Sequence, residues 1–250
     1  MGATQWLRAN RNRTRTHIAS SAGPARIRAL GFDFDHTLGL DNKLERVAFL
    51  HLIEFIERDG GAPLGALDAE IVRIDELLAH QRAGACTIDD AVERFVRDRG
   101  VAPTGYADEY RRIALASVDA FVVPLPGARD CFEHLRARAV PHAILTNGWA
   151  PLQQRKAARI GFGGAVLASS EIGSQKPDAA AFAALAGTLG CAADGIGYIG
   201  DNPVVDVAGA LAAGMQGIWL DAEGASYPST VPGPSRVIHS LHEVLALVRP

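Results

Sequence analysis

Six short runs of mostly apolar residues recur along the chain, at 29–32, 142–145, 165–168, 196–199, 217–220 and 236–239. Runs of this length and composition read as buried strands of a parallel sheet. The stretches between the later runs have helical character: 127–139 after Pro126, 151–160, 178–189 and 204–213, each ended by glycine or a small polar cluster. Strand and helix alternating at this spacing predict an α/β fold, a doubly wound and mainly parallel sheet with right-handed crossovers.

The region after the first strand breaks that alternation. From about 41 to 121 no strand pattern is present, and apolar residues recur at helical spacing: Leu44, Val47, Ala48 and Leu52; Ile71, Ile74 and Leu78; Ile88, Val92 and Phe95; Tyr110, Ile113 and Leu115. Turn formers at 60–63, at Gly84 and at 100–105 divide these stretches, and 124–127, Pro-Leu-Pro-Gly, mark the return to the sheet. The organisation expected is an arm at 1–26, an α/β core built from 27–40 and 123–250, and a helical cap at 41–122.

Ligands of an open α/β sheet collect at the carboxyl ends of its strands, so the polar residues that follow each apolar run carry the functional signal. The first run delivers Asp33-Phe34-Asp35-His36-Thr37-Leu38 and the second Thr146-Asn147-Gly148. The fourth delivers Gly200-Asp201-Asn202-Pro203 with Asp206 beyond, and Lys176-Pro177 lies a loop's length after the third. Massed carboxylates repel one another and stay ionised only around a cation. Magnesium, an oxygen-seeking ion that takes one or two carboxylates and completes its shell with water and phosphate, fits that need through Asp33 and Asp201. Thr146 and backbone amides are suited to holding a phosphate, and Lys176 to neutralising its developing charge. Asp33 and Asp35 stand two apart and on a strand would point the same way, while a tight bend after Asp33 would separate their tasks into a carboxylate nucleophile and a proton donor and acceptor.

In their order and strand context these motifs, Asp33-Phe34-Asp35-His36-Thr37, Thr146, Lys176-Pro177 and Gly200-Asp201 through Asp206, resemble the haloacid dehalogenase-like superfamily. The resemblance spans about 29–220 and includes a helical cap inserted after the first motif. It implies a Rossmann-like core and a phosphatase reaction in which Asp33 forms an aspartyl-phosphate. Asp35 would protonate the leaving alcohol and then activate water. It also implies that Asp33, the Asp35 backbone carbonyl and Asp201 bind Mg2+, that Asp206 supports the metal shell, and that Thr146, Asn147 and Lys176 hold the phosphoryl group. Asp35 argues against the dehalogenase branch, which lacks an acid there, and against the phosphonate-cleaving branch. A phosphomutase and a catalytically silent metal- or phosphate-binding relative are the alternatives.

Other signals are weaker. Gly195–Gly200 matches GxGxxG, but its glycines precede and enter a strand instead of opening a helix, so dinucleotide binding is not expected. No histidine spacing suits zinc. His36 is expected to serve the backbone bend or a substrate edge. Lys43 and Lys156, two of only three lysines, are read as ordinary surface residues, and Arg46, His51, Arg58, Arg73, His80 and Arg82 as mostly solvated. Six arginines and no acid fall within 1–28; subtracting them from the formal net charge of −3 leaves −9. That remainder disfavours nucleic acid as a partner. The arm itself has the composition of either an organelle-targeting peptide or a dispensable tail. Three scattered cysteines, Cys86, Cys131 and Cys191, form no disulfide framework, and no apolar run suits a membrane span or secretory signal. A cytoplasmic enzyme acting on a small phosphorylated metabolite is therefore expected, its substrate and oligomeric state open.

Overall fold

The computed structural model describes residues 26–248, so the expected arm lies, but for Arg26, outside the described residues. In chain order the elements begin with β1 (Ala29–Phe32), β2 (Gly39–Leu40), α1 (Leu44–Arg58), α2 (Leu67–Arg82), α3 (Ile88–Arg97), α4 (Tyr106–Phe121) and β3 (Val123–Pro124). There follow α5 (Ala128–Ala137), β4 (His142–Thr146), α6 (Ala150–Arg159), β5 (Ala165–Ala168), α7 (Ser169–Ile172), α8 (Ala179–Leu189) and β6 (Ile196–Gly200). A π-helical turn, Pro203–Ala208, leads into α9 (Gly209–Ala212), and β7 (Gln216–Leu220), β8 (Arg236–Ile238) and α10 (Val244–Leu247) complete the chain.

The six expected strands form one parallel sheet in the order β5-β4-β1-β6-β7-β8. Side chains alternate across it and feed two cores. Leu30, Phe32, Ile144 and Ile199 face one, which continues into α1–α6. Ala29, Ala143, Leu145 and Tyr198 face the other, against Phe182 and Leu185 of α8. Burial on both faces explains why these runs show no polar alternation. Gly31 in β1 is a close-approach position: a Cβ there would stand 2.5 Å from Leu185 and 2.7 Å from Tyr198.

Helices α1–α4 pack mainly on one another through Phe49, whose ring centroid lies 5.0 Å from Phe95 and 4.7 Å from Tyr110. A capping box starts α3, with the Asp90 N–H donating to Thr87 Oγ1 and the Thr87 N–H donating back to Asp90 Oδ2. Both connections to this helical unit pass through an antiparallel ribbon of β2 and β3, paired Gly39 with Pro124 and Leu40 with Val123. At two residues each, these strands are too short to leave a periodic trace in the sequence. Among the described residues no helix is long and apolar enough to cross a membrane.

Candidate active site

In this strand order the chain reverses direction through the sheet between β1 and β6, and ligands of such folds bind at the carboxyl ends flanking that reversal. Asp33 follows β1 and Asp201 follows β6 at this point, and the Asp33 N–H donates to the Ile199 carbonyl at 2.9 Å. The chain bends after Asp35 at His36, whose φ of 60° is left-handed. His36 also lines the cavity, so its placement is compatible with both the backbone and the substrate-edge expectation. Thr37 stitches the two strand ends together: its hydroxyl accepts from the Asp201 N–H at 3.1 Å and donates to Asp201 Oδ1 at 3.4 Å.

Lys176 is buried between two carboxylates, its Nζ 2.5 Å from Asp33 Oδ1 and 2.7 Å from Asp206 Oδ1. Asn147 sets the lysine's place, because its side-chain amide donates to the Lys176 carbonyl and its carbonyl accepts from the Lys176 N–H, both at 2.9 Å. Both ends of that side chain are therefore engaged by Lys176. Thr146, at the end of β4, is buried and lines the same cavity. Asp206 lies in the π-helical turn, almost fully buried, with Oδ2 accepting from the Asn202 N–H at 3.1 Å. A Cβ at Gly200 would collide with the Asp206 side chain, so the strand end has to be glycine for Asp206 to fold back over it.

These groups surround a cavity of about 260 Å³ lined by Asp33, Asp35, Thr146, Asn147, Lys176, Asp201 and Asp206 from the sheet side. Asp41, Lys43 and Arg82 line it from the helical side. Oxygens of Asp33, Asp201 and Asp206 come within 4.8 Å of one another. Burial, and next the Asp33 charge, push Asp201 up to about 6. Burial likewise raises Asp33, against the pull of Lys176, and raises Asp206. Crowded, destabilised carboxylates with no nitrogen or sulfur ligand among them fit a hard divalent cation such as Mg2+.

The expectation for Lys156 is corrected. It is not a surface lysine but fully buried, its Nζ 2.6 Å from Asp35 Oδ1 and 3.2 Å from Asp41 Oδ2. Burial opposes the Asp41 charge, yet Lys156 and Arg82 hold that carboxyl below its ordinary range. Helical spacing contains the signal: Lys156 stands four residues after buried Leu152 and four before buried Ile160, on the inward stripe of α6.

One arginine of the helical segment departs from the solvated expectation: Arg46 is largely covered and ion-paired to Asp75, whereas Arg82 is about half exposed and reaches Glu45 at 3.4 Å. Glu45 is buried, accepting also from the Trp149 indole at 3.1 Å and the Tyr110 hydroxyl at 3.3 Å. It joins α1, α2 and α4 to the loop after β4. The Gly195–Gly200 run lies before and along β6, as expected, and opens no helix.

A parallel sheet with paired aspartates, a threonine, a lysine and a further aspartate at successive strand ends defines a hydrolase-type α/β enzyme. Residues 27–214 match the family model described as haloacid dehalogenase-like hydrolase, and the chain belongs to that family. Among curated relatives, phosphoserine phosphatase of Thermus thermophilus is 36% identical over 99 residues, 38% of this chain and 40% of the relative. A pyrimidine 5′-nucleotidase of Escherichia coli is 31% identical over 129 residues, 50% of this chain and 56% of the relative. The matches thus span about half the length of these relatives. Among solved structures, a magnesium-bound hydrolase of the family from Bacillus subtilis superposes with a TM-score of 0.66 at 22% identity, over 90% of this chain and 100% of that one. A 2-haloacid dehalogenase from Pseudomonas syringae gives 0.68 at 23%, over 89% of this chain and 98% of that one.

Proposed function

We propose that this chain is a magnesium-dependent phosphatase that hydrolyses a small phosphate monoester through an aspartyl-phosphate on Asp33, beneath a helical cap formed by 41–122. The observation that carries the reading is the placement of Asp33 at the reversal of the sheet, held by the buried Lys176 ammonium, with Asp35 on the same cavity wall. The partial likeness to two phosphate-ester hydrolases supports it.

One carboxylate oxygen of Asp33 attacks phosphorus as the bond to the leaving oxygen breaks, and Asp35 gives that oxygen its proton. Asp35, now a carboxylate, removes a proton from water, which attacks the phosphorus and frees Asp33. Lys176 stays beside Asp33 throughout and offsets charge on the transferring phosphoryl group, while Thr146 donates a hydrogen bond to it. Asp33, the Asp35 carbonyl and Asp201 would hold Mg2+, with Asp206 alongside, and the ion when bound neutralises charge on the phosphoryl oxygens. Asn147 acts here by seating Lys176. Lys43 and Arg82 line the cavity beside Asp41, and their surplus of positive charge on that side favours an ester whose alcohol portion is polar or anionic. Free Cys86, Cys131 and Cys191 support a reducing cytoplasm as the location.

The test is phosphate release from a panel of monoesters by wild type with magnesium, wild type with EDTA, and Asp33→Asn with magnesium. Release in the first alone is expected. Undiminished release by Asp33→Asn would refute the nucleophile, and isomerisation of sugar phosphates without release would show a mutase.

A further inference from the structure

Burying a lysine is costly unless its charge is matched and its protons are satisfied. Lys156 is nevertheless buried completely, over the Phe34 ring at 4.9 Å from its centroid, and its two carboxylate partners, Asp35 and Asp41, both line the cavity that it does not itself reach. Asp35 stands on the cavity wall with about a third of its side chain exposed, whereas Lys156 does not reach the cavity. The ammonium therefore grips Asp35 from behind, through Oδ1. Asp41 follows the β2–β3 ribbon at the start of α1, its Oδ1 accepting from the Lys43 N–H and its carbonyl from the Leu44 N–H. Two anchors, Asp35 at 2.6 Å and Asp41 at 3.2 Å, fix where the ammonium lies, and α6 carries the lysine stem.

From this geometry we propose that Lys156 is a positioning residue for Asp35: by holding Oδ1 it leaves Oδ2 to face the leaving oxygen of the substrate. The assignment rests on the phosphatase reading above, in which the Asp35 proton passes to that oxygen as the Asp33–phosphorus bond forms and the ester bond breaks. A displacement of about 1 Å in such a group costs on the order of a hundredfold in rate. The loss falls on substrates whose leaving oxygen needs the proton, and hardly on those whose leaving group departs as a stable anion.

Phenyl phosphate and p-nitrophenyl phosphate make the probe pair, similar in shape but different in that need. Values of kcat/KM with magnesium are compared for wild type, Asp35→Asn, Lys156→Met and Asp41→Asn of the full chain. Expected for Lys156→Met is a loss of about a hundredfold on phenyl phosphate and less than about tenfold on the nitrophenyl ester, a selectivity that Asp35→Asn shares. Equal losses on both esters would overturn the positioning role and leave Lys156 a structural residue. Equal losses in Asp35→Asn itself would instead remove the proton donor on which the assignment depends. Should Lys156→Met fail to fold, Asp41→Asn, which keeps the shape of a partly exposed side chain, decides: a smaller loss confined to phenyl phosphate supports the role, and an unselective or absent loss refutes it.

Discussion

Replacing Lys176 by methionine keeps the reach of the side chain and deletes the ammonium that lies 2.5 Å from Asp33 and 2.7 Å from Asp206. Both carboxylates are then left buried without their cation, beside Asp201. Removing one member of a buried ion pair typically costs ~3–5 kcal/mol. In a chain of this size each kcal/mol moves the melting temperature by roughly 2–4 °C, so a fall of about 6–20 °C is expected in EDTA at neutral pH. Asp33→Asn should do the opposite. It removes a charge that raises Asp201, while Lys176 keeps its pairing with Asp206. Its melting temperature should therefore match or exceed that of wild type, although both variants lose phosphate release. Differential scanning calorimetry on the three proteins reads this directly. If Asp33→Asn melts as low as Lys176→Met, the site does not hold surplus negative charge and the electrostatic account of it fails.

Two further outcomes follow from the same site. Asp201 is raised from 3.8 to about 6, so the folded protein binds its proton more tightly than the unfolded chain does. Its contribution to stability therefore declines as pH rises through that window and stays low above it. A cation relieves that cost, and saturating magnesium should raise the melting temperature more at pH 7.5 than at pH 5; equal shifts would disconnect Asp201 from the metal. Arg82→Ala should raise KM for the preferred ester about tenfold with little change in kcat, the loss of one charged hydrogen bond. A fall in kcat at unchanged KM would place Arg82 in the chemistry instead.

The sheet was readable because buried parallel strands have to be short and apolar, and every run expected lies in the sheet within about a residue of its bounds. The polar residues after those runs converge for the same reason, since strand order carries their ends to one rim. Lys156 escaped because one lysine in a polar helix, Ala-Pro-Leu-Gln-Gln-Arg-Lys, resembles solvated surface until its register against Leu152 and Ile160 is counted. Glu45 and Asp41 lie far in sequence from Trp149 and Lys156, as Arg82 does from Asp35, and nothing local announces that they come together. The β2–β3 ribbon escaped through brevity alone.

That ribbon makes the two connections of the helical segment neighbours. Hydrogen-bonded strands run about 4.8 Å apart, and Leu40 sits opposite Val123, so the point of departure and the point of return nearly coincide. A chain that leaves and re-enters a scaffold through so narrow a gap imposes almost no distance constraint on what lies between. The intervening stretch is in effect a cassette: a two-residue turn joining Leu40 to Val123 would close the gap as a hairpin, and a segment of any length with closely spaced ends would fit in its place. Diversification of such an enzyme can then proceed by exchanging what is carried on the stem, while the strand ends that bear the aspartates remain undisturbed.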